Sequence, residues 1–570
     1  MLTKKKEILL LLGLLGALAL FAACAAPTEN VATPGAGTPL VLPTATPLGA
    51  DVKPIPGGVL RGSYSVDPPY WDPNMGVSGE THSPLNRVHA TLLAFNFGPK
   101  YPAWNFDIGT DGLTQSWEIS ADGLTYTFHL RQGVKFQNKP PMNGRELVAE
   151  DVKWTLERHI ATPGAPRREQ LLVIDKVETP DKYTVVIRLK EKRADMLLTL
   201  AGPYVEILAP ELATITGDLN TPKALVGVGP FILQEYVPNV RVVYKKNPTY
   251  FRANLGLPYL DELRYTLISD ASTSLAAFRA EKIDIRGISR IDLASVKQTN
   301  PNIYCYENDL SLTQAAMCFQ TTKLPFSDAR LRQAVSMALN RQEVIDTFYY
   351  GYGIAQEGPI HAAAPWYLPP EKQGEANKYF KYNVEEAKKL VAEAGYPNGL
   401  SVSLAVNSSW GATYMEYAEY WVDVLSKIGM KVTLKPMETG AFYSTVYAKH
   451  DYPDLTFLYK WGGATFGPDS WVVQMYRKGY VSNYSNVDDP VLEELLKAQE
   501  GELDPVKRQQ LLDEIQRYEA TAMHYVHWPM AYGVTCLQPW VRDYAPHAIS
   551  YHSGRIAELI WLTPDAPGRK

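Results

Sequence analysis

The chain has 570 residues, too many for a single hydrophobic core, so two or more domains are expected. Hydrophobic residues at 46% and charged residues at 21% are ordinary soluble globular composition. A formal net charge of −5, with no Lys/Arg-rich patch after Lys6, excludes the electrostatic footprint of a nucleic-acid binder.

In chain order, Lys4-Lys5-Lys6 followed by the uncharged apolar stretch from Ile8 to Ala23 reads as a targeting segment, a signal peptide over 1–23. Small residues before Cys24 make that cysteine a candidate for lipidation. Ala25 to Pro56 supply seven prolines and almost no large apolar residue, so 24–56 is expected to be an extended tether. Gly57 to Tyr64 starts the folded part as a glycine-led strand, followed by a rigid loop, Asp67-Pro68-Pro69-Tyr70-Trp71-Asp72-Pro73. Runs of strand formers at 117–120 and 125–130 flank the turn Ala121-Asp122-Gly123, and Tyr126, Phe128 and Leu130 alternate with polar residues. Glu150-Asp151 then open a helix with Val152, Thr155, Leu156 and His159 on one face.

Further along, 171–177 and 183–189 read as a second hairpin and 194–200 as a short helix. Gly227-Val228-Gly229-Pro230 lacks both the G-x-G-x-x-G spacing and the lysine of a nucleotide loop. Ser327 is placed as the cap of a helix carrying Leu331, Val335 and Leu339, and Asn340 with Glu343 as a capping box for the next, which turns Val344, Ile345 and Phe348 inward. Asn383 with Glu386 caps a third helix (Ala387, Leu390, Val391, Ala394), which Gly395 and Pro397 stop. Strand 400–406, helix 413–428 and strand 432–434 form a βαβ unit with a parallel pair. Asp504-Pro505 starts a last long helix, with Leu511, Leu512, Ile515 and Tyr518 facing inward.

Two strings carry a family resemblance. Trp117, Ser120, Asp122-Gly123, Tyr126, Phe128, Leu130-Arg131, Gly133-Val134, Phe136, Asn143-Gly144 and Ala149–Val152 resemble the motif W-x-x-S-x-D-G-x-x-Y-x-F-x-L-R-x-G-V-x-F…[ND]-G…A-E-D-V. PFSDARLRQAVSMALNRQEVI, residues 325–345, is the second match. The family is that of the extracytoplasmic solute-binding proteins, family 5, of peptide-, oligopeptide- and nickel-type ABC importers. Cys24 then resembles a lipobox cysteine, although Phe21 stands where the pattern prefers Leu. The resemblance implies a two-lobed α/β fold of the periplasmic-binding-protein type (type II) with a third subdomain inserted in lobe I. Lobe I would comprise 57–90, 195–311 and 537–565, the insert 91–194, and lobe II 312–536. It also implies an extracytoplasmic protein anchored to the cell membrane through its N-terminal lipid, capturing a solute between the lobes and delivering it to an ABC permease. No cofactor and no catalysis are implied.

The ligand set implied is Trp461, Gly463, Ala464, Asp469, Tyr532 and Val77. The string from Trp461 to Asp469 resembles the cleft loop W-x-x-D-x-x-D-P-D, in which the first aspartate pairs with a peptide's α-ammonium. Here that position is Ala464, and Gly467 replaces the second acid. An unmodified peptide is therefore expected to have lost its usual partner unless another acid reaches in or Asp469 substitutes. The alternatives are an importer component for sugars or other uncharged solutes, with Trp410, Trp421, Trp461, Phe466 and Trp471 as stacking faces, and a signalling or scaffold lipoprotein. With Cys24 lipidated, Cys305, Cys318 and Cys536 leave at least one thiol unpaired. A Cys305–Cys318 bridge across a hairpin is one reading, and buried thiols are the favoured one. The histidines, including His524 and His527, show no metal spacing, and no nucleophile elbow or P-loop occurs.

Overall fold

The computed structural model describes residues 52–76, 78–214, 217–308, 314–460, 467–548 and 553–569. The signal peptide, Cys24 and the tether up to residue 51 lie outside them. The fold is a two-lobed α/β arrangement built on four main sheets. Val59–Tyr64 runs parallel to Glu262–Leu267, which continues antiparallel into Arg241–Lys246 and Phe231–Val237. A three-stranded antiparallel sheet places Gly533–Leu537 between Ile285–Gly287 and Tyr304–Asn308.

The motif region forms its own antiparallel sheet, in the order Thr114–Ile119, Thr125–Leu130, Thr184–Leu189, Ile174–Asp181. Tyr126, Phe128 and Leu130 are buried and the residues between them half-buried, the period of two that the sequence shows. The turn is held by Ser120, whose hydroxyl donates to Asp122 Oδ1 at 2.5 Å. Gly123 sits at φ 71°, which favours glycine. Helix Ala149–Ala161 follows, burying Val152, Thr155, Leu156 and His159 against this sheet, and Val148 N–H donates to Asp151 Oδ2 at 2.9 Å in its first turn. The second hairpin is shorter than expected at its start, because Arg168–Leu171 closes a helical turn before the strand begins at Ile174.

Gly227 and Gly229 have a packing role. A Cβ on either would collide with the backbone of Val88, at the end of helix Gly79–Val88. The chain passes so close there that only glycine fits.

The largest sheet has the order Met430–Met437, Leu400–Asn407, Leu455–Lys460, Gln314–Phe319, Tyr525–His527. The βαβ unit is present as expected, its strands parallel from Leu400↔Met430 to Asn407↔Met437, with helix Ala412–Ser426 between them. Leu455–Lys460 is also parallel to Leu400–Asn407, whereas Gln314–Phe319 is antiparallel to both its neighbours. Helix caps on this half follow local chemistry. Asn340, Asn383 and Asp504 each accept from a backbone N–H of the helix they start. Ser327 does not: helix Ala329–Ala338 starts two residues later, and Asp328 is its cap, accepting from Arg330 N–H at 2.9 Å.

The cysteine expectation is corrected. Cys305 and Cys536 face each other directly in the antiparallel pair of Tyr304–Asn308 with Gly533–Leu537 and form a disulfide, with Cα atoms 4.1 Å apart. Cys318 is buried outside the disulfide, its thiol donating to Ala316 O at 3.8 Å. A local hairpin reading of Cys305 and Cys318 fails because the two strands belong to different sheets.

Candidate functional site

Strand direction decides where a ligand can be met. Three parallel strands of the largest sheet end at residues 407, 437 and 460, and the antiparallel strand Gln314–Phe319 begins at that same edge. Tyr525–His527 ends there too, being antiparallel to Gln314–Phe319. Among the described residues, the carboxyl edge of the sheet therefore gathers 408–411, 438–442 and 528–532. In open α/β sheets ligands bind in the crevice outside this edge. The chain passes between this sheet and the three-stranded one twice, and the strands flanking the two passages are paired, Asn308 with Gly533 in one sheet and Ala316 with His527 in the other.

Aromatic side chains line this edge. The Trp410 ring lies 5.3 Å from Tyr459, 4.8 Å from Tyr414 and 6.1 Å from Tyr447. The Tyr447 hydroxyl donates to the Tyr459 carbonyl and that of Tyr414 to the Phe457 carbonyl, each at 2.5 Å. Asn407 Oδ1 accepts from Ser409 N–H at 2.9 Å and from the Thr439 hydroxyl at 3.2 Å, tying two edge loops together.

Among the expected ligand residues, Trp461, Gly463, Ala464 and Val77 lie outside the described residues, as do Phe466 and Cys24. Their flanks are described. Ser78 caps helix Gly79–Val88, accepting from Thr81 N–H at 3.3 Å. The carbonyl of Gly76 meets His82 Nε2 at 2.6 Å. His82 Nδ1 lies 3.1 Å from Glu206, to which Asn86 also donates at 2.7 Å. Position 77 thus sits between two pinned neighbours. Tyr532 is half-buried in the second connection, and its N–H donates to Tyr352 O at 3.1 Å. The guanidinium of Arg290 lies 3.6 Å from the centre of the Tyr352 ring.

Two of the proposed stacking faces are not faces at all. Trp421 is fully buried among Phe457 and Trp528. Trp471 is buried beside Trp104 and Trp366. Their large apolar surface fills core positions, and among the described candidates Trp410 is the one half-buried at the edge.

Asp469 is buried and already engaged. Its Oδ1 accepts from Gln499 at 2.8 Å and from Arg508 at 3.0 Å. Arg508 also holds Asp195 Oδ1 at 2.5 Å, and Asp469 N–H donates to Asp195 Oδ2 at 3.3 Å. A second tier lies alongside: Glu500 pairs with Arg193 and, at 2.6 Å, with Arg477, while Ala194 N–H donates to Glu500 O at 2.8 Å. Burial pushes the Asp195 carboxyl up, Arg508 pulls it down and Asp469 pushes it up again, leaving it at about 6. Sequence reasoning missed Asp195 and Arg508. The one available signal was Gly467, where a Cβ would collide with the Asp195 carboxylate.

Residues 110–483 match the family model described as bacterial extracellular solute-binding proteins, family 5 middle. The chain is similar to Heme-binding protein A of Haemophilus influenzae, 28% identical over 465 residues, covering 77% of this chain and 82% of that protein. The Dipeptide-binding protein of Escherichia coli is 28% identical over 441 residues, covering 72% and 79%. Among solved structures, AgaA of A. tumefaciens R10 in complex with agropinic acid superposes with a TM-score of 0.71 at 26% identity, covering 89% of this chain and 99% of that one. For the fold alone, Helicobacter pylori DppA in complex with the peptide STSA gives a TM-score of 0.73 at 24% identity, covering 89% and 98%. With the match running through two thirds of its length, the chain belongs to the family 5 bacterial extracellular solute-binding proteins.

Proposed function

We propose that this family 5 protein is the substrate-binding lipoprotein of an ABC importer, capturing a small solute of the peptide type between its lobes and presenting it to a membrane permease. The observation that carries the reading is that Tyr304–Asn308 pairs with Gly533–Leu537 in one sheet while Gln314–Phe319 pairs with Tyr525–His527 in another, so that the chain passes twice between the two sheets within a few residues. Few residues need to absorb a hinge rotation there. Lobe I is assigned 57–90, 195–311 and 537–565, with 91–194 inserted and lobe II at 312–536. Strand Gly533–Leu537 is moved to lobe I, because it is paired on both sides with lobe I strands. Val77, Trp461, Gly463, Ala464, Asp469 and Tyr532 are the ligand residues on this reading. The Cys305–Cys536 disulfide is in keeping with an oxidising, extracytoplasmic location.

The ligand stabilises the closed form only by contacts it lacks in the open one. Native mass spectrometry of the purified protein identifies the co-purified solute. Small-angle scattering then shows compaction when that solute is returned to the stripped protein. Tight binding with an unchanged radius would sink the closure mechanism. Anchoring is tested separately: Cys24→Ser releases the protein from membranes or leaves its signal uncleaved, since one acyl chain alone holds marginally and stable attachment needs the full lipid modification.

A further inference from the structure

A cavity of about 190 Å³ lies where strands Val59–Tyr64 and Glu262–Leu267 meet the last turn of helix Gly79–Val88 and the end of helix Ser553–Leu559. None of its lining residues belongs to the carboxyl edge of the largest sheet. Two arginines line it, and their charges are treated differently. Arg61 is neutralised, its Nε and Nη2 holding the two oxygens of the buried Asp284 at 3.2 and 2.5 Å. Arg87 is 4% exposed and, among the described residues, has no carboxylate partner. Its Nη1 donates to the Tyr64 hydroxyl at 2.8 Å and to the Ser83 carbonyl at 2.5 Å, and its Nη2 to the Tyr265 hydroxyl at 3.0 Å. Its Nε is buried with no acceptor among the described residues.

All these partners are neutral. The end of the helix and the Tyr265 ring, whose centre is 4.4 Å from the guanidinium, soften the charge without cancelling it. A buried charge without a counter-charge is costly, and arginine cannot shed its proton, so what relieves it is an anion. A second donor stands beside it. The Tyr265 hydroxyl lines the cavity, accepts from Arg87, and has its own proton uncommitted among the described residues. Leu60, Ile285, Ile556 and Ile560 make the wall apolar. Ser63, Tyr265 and Ile285 are only half-buried, which leaves the cavity open to solvent.

We propose that this cavity binds a small monocarboxylate with a short apolar body, held by Arg87 and the Tyr265 hydroxyl. The charge count sets the class. One unmatched positive charge takes one negative charge, and an apolar wall disfavours a strongly hydrated dianion. The volume sets the size: an apolar cavity of about 150 Å³ accepts a benzene-sized body, so a carboxylate of about four to six carbons fits here. Arg61 shows the mode of recognition in the same strand, taking a carboxylate through Nε and Nη2 together. On Arg87 Nε has no acceptor, and Nη2 spends only one of its two N–H groups.

The test is calorimetric titration of the full-length protein with isovalerate, with its neutral amide isovaleramide and with inorganic phosphate. Isovalerate should bind about tenfold or more tightly than either of the others, because it alone combines the charge with the apolar body. Arg87→Gln should remove that preference, and Ile285→Trp should weaken isovalerate by about tenfold by filling the opening without touching the charge. Melting temperature should rise with isovalerate in the wild type and stay constant in Arg87→Gln. A purely structural Arg87 would shift the variant's melting point and leave both proteins indifferent to isovalerate. Crystals soaked in bromobutyrate should place the bromine beside Ile556 and Ile560 by anomalous scattering. Equal binding of the acid and its amide, phosphate binding as tight as isovalerate, no binding by the wild type, or a bromine only at the carboxyl edge of the largest sheet overturns the proposal. These wild-type comparisons decide the matter even if the variants do not fold. Solute capture between the lobes is read by scattering, so either proposal can fail without the other.

Discussion

Two seams join the segment 95–201 to the half of the molecule built around the largest sheet, and they are made of opposite materials. One is aromatic: Trp104 and Phe106 meet His361, Trp366 and Trp471, with ring centres 4.4 to 6.5 Å apart. The other is ionic: Arg193 and Asp195 meet Asp469, Glu500 and Arg508. The aromatic seam gains in proportion to the apolar area it buries. The ionic seam is close to neutral as a complete set, but removing one member strands a buried charge. The first supplies cohesion. The second supplies specificity, because it tolerates only one arrangement.

The largest effects separate these materials. Arg508→Met should cost about 3–5 kcal/mol, since two buried carboxylates lose their cation. Adding Asp195→Asn and Asp469→Asn should restore most of that loss, because a neutral set needs no counter-charge. Chemical denaturation of the single and triple variants is the measurement, and a triple variant no better than the single would refute the charge account. Trp471→Ala should also cost about 3–5 kcal/mol through the cavity left in a packed core, with no rescue available from charge changes.

A second group of predictions concerns pH. Burial takes His89, His159 and His547 down to about 4 from the ordinary 6.5 of an imidazole. In the unfolded chain these imidazoles bind protons more readily, so their contribution is complete above pH 6.5 and is lost as the pH falls from 6.5 to 4. Asp195 runs the other way: raised to about 6 from 3.8, its contribution is full below 3.8 and disappears as the pH rises through 6. Glu357, Glu500 and Asp543 are raised by burial as well and act with Asp195, so melting temperature should fall between pH 6.5 and 4 by as much as the three imidazoles outweigh these carboxyls. His547→Phe should flatten that fall, whereas an unchanged slope would show that the imidazole does not have to stay neutral.

Smaller effects sharpen the picture. Cys305→Ser with Cys536→Ser should cost about 2–4 kcal/mol by freeing a long loop in the unfolded chain. Thermal melting with and without reductant checks this, and reductant should leave the double variant unaffected. Ser78→Ala should cost about 1 kcal/mol through the lost cap beside position 77. A measured change near zero would show that the Gly76–His82 contact alone holds that turn.

The regions read well from sequence share a property. In 117–161 and in 400–437 the signal is local: a turn between alternating runs, a cap, an apolar stripe, a βαβ order. Each is fixed by residues within a few positions of one another. The cap at Asp328 rather than Ser327 shows the resolution of such reading, since both side chains can accept and only the helix start chooses. For the candidate site the sequence offered only motif spacing. Motif spacing pointed to the loop around 461–469 and to Asp469, and the structure adds that Asp469 spends one of its oxygens on Gln499 and Arg508.

By itself the sequence determined the class of fold, most element positions and the family, because periodicity, capping chemistry and two long motifs are properties of short stretches. Tertiary structure alone decided that Cys305 joins Cys536 across 231 positions, that Trp421 and Trp471 are core, and that Asp195 stands where residue 467 has no side chain. These are long-range pairings. A buried charge finds its partner and a thiol its mate through the way sheets stack, and spacing along the chain carries no record of that.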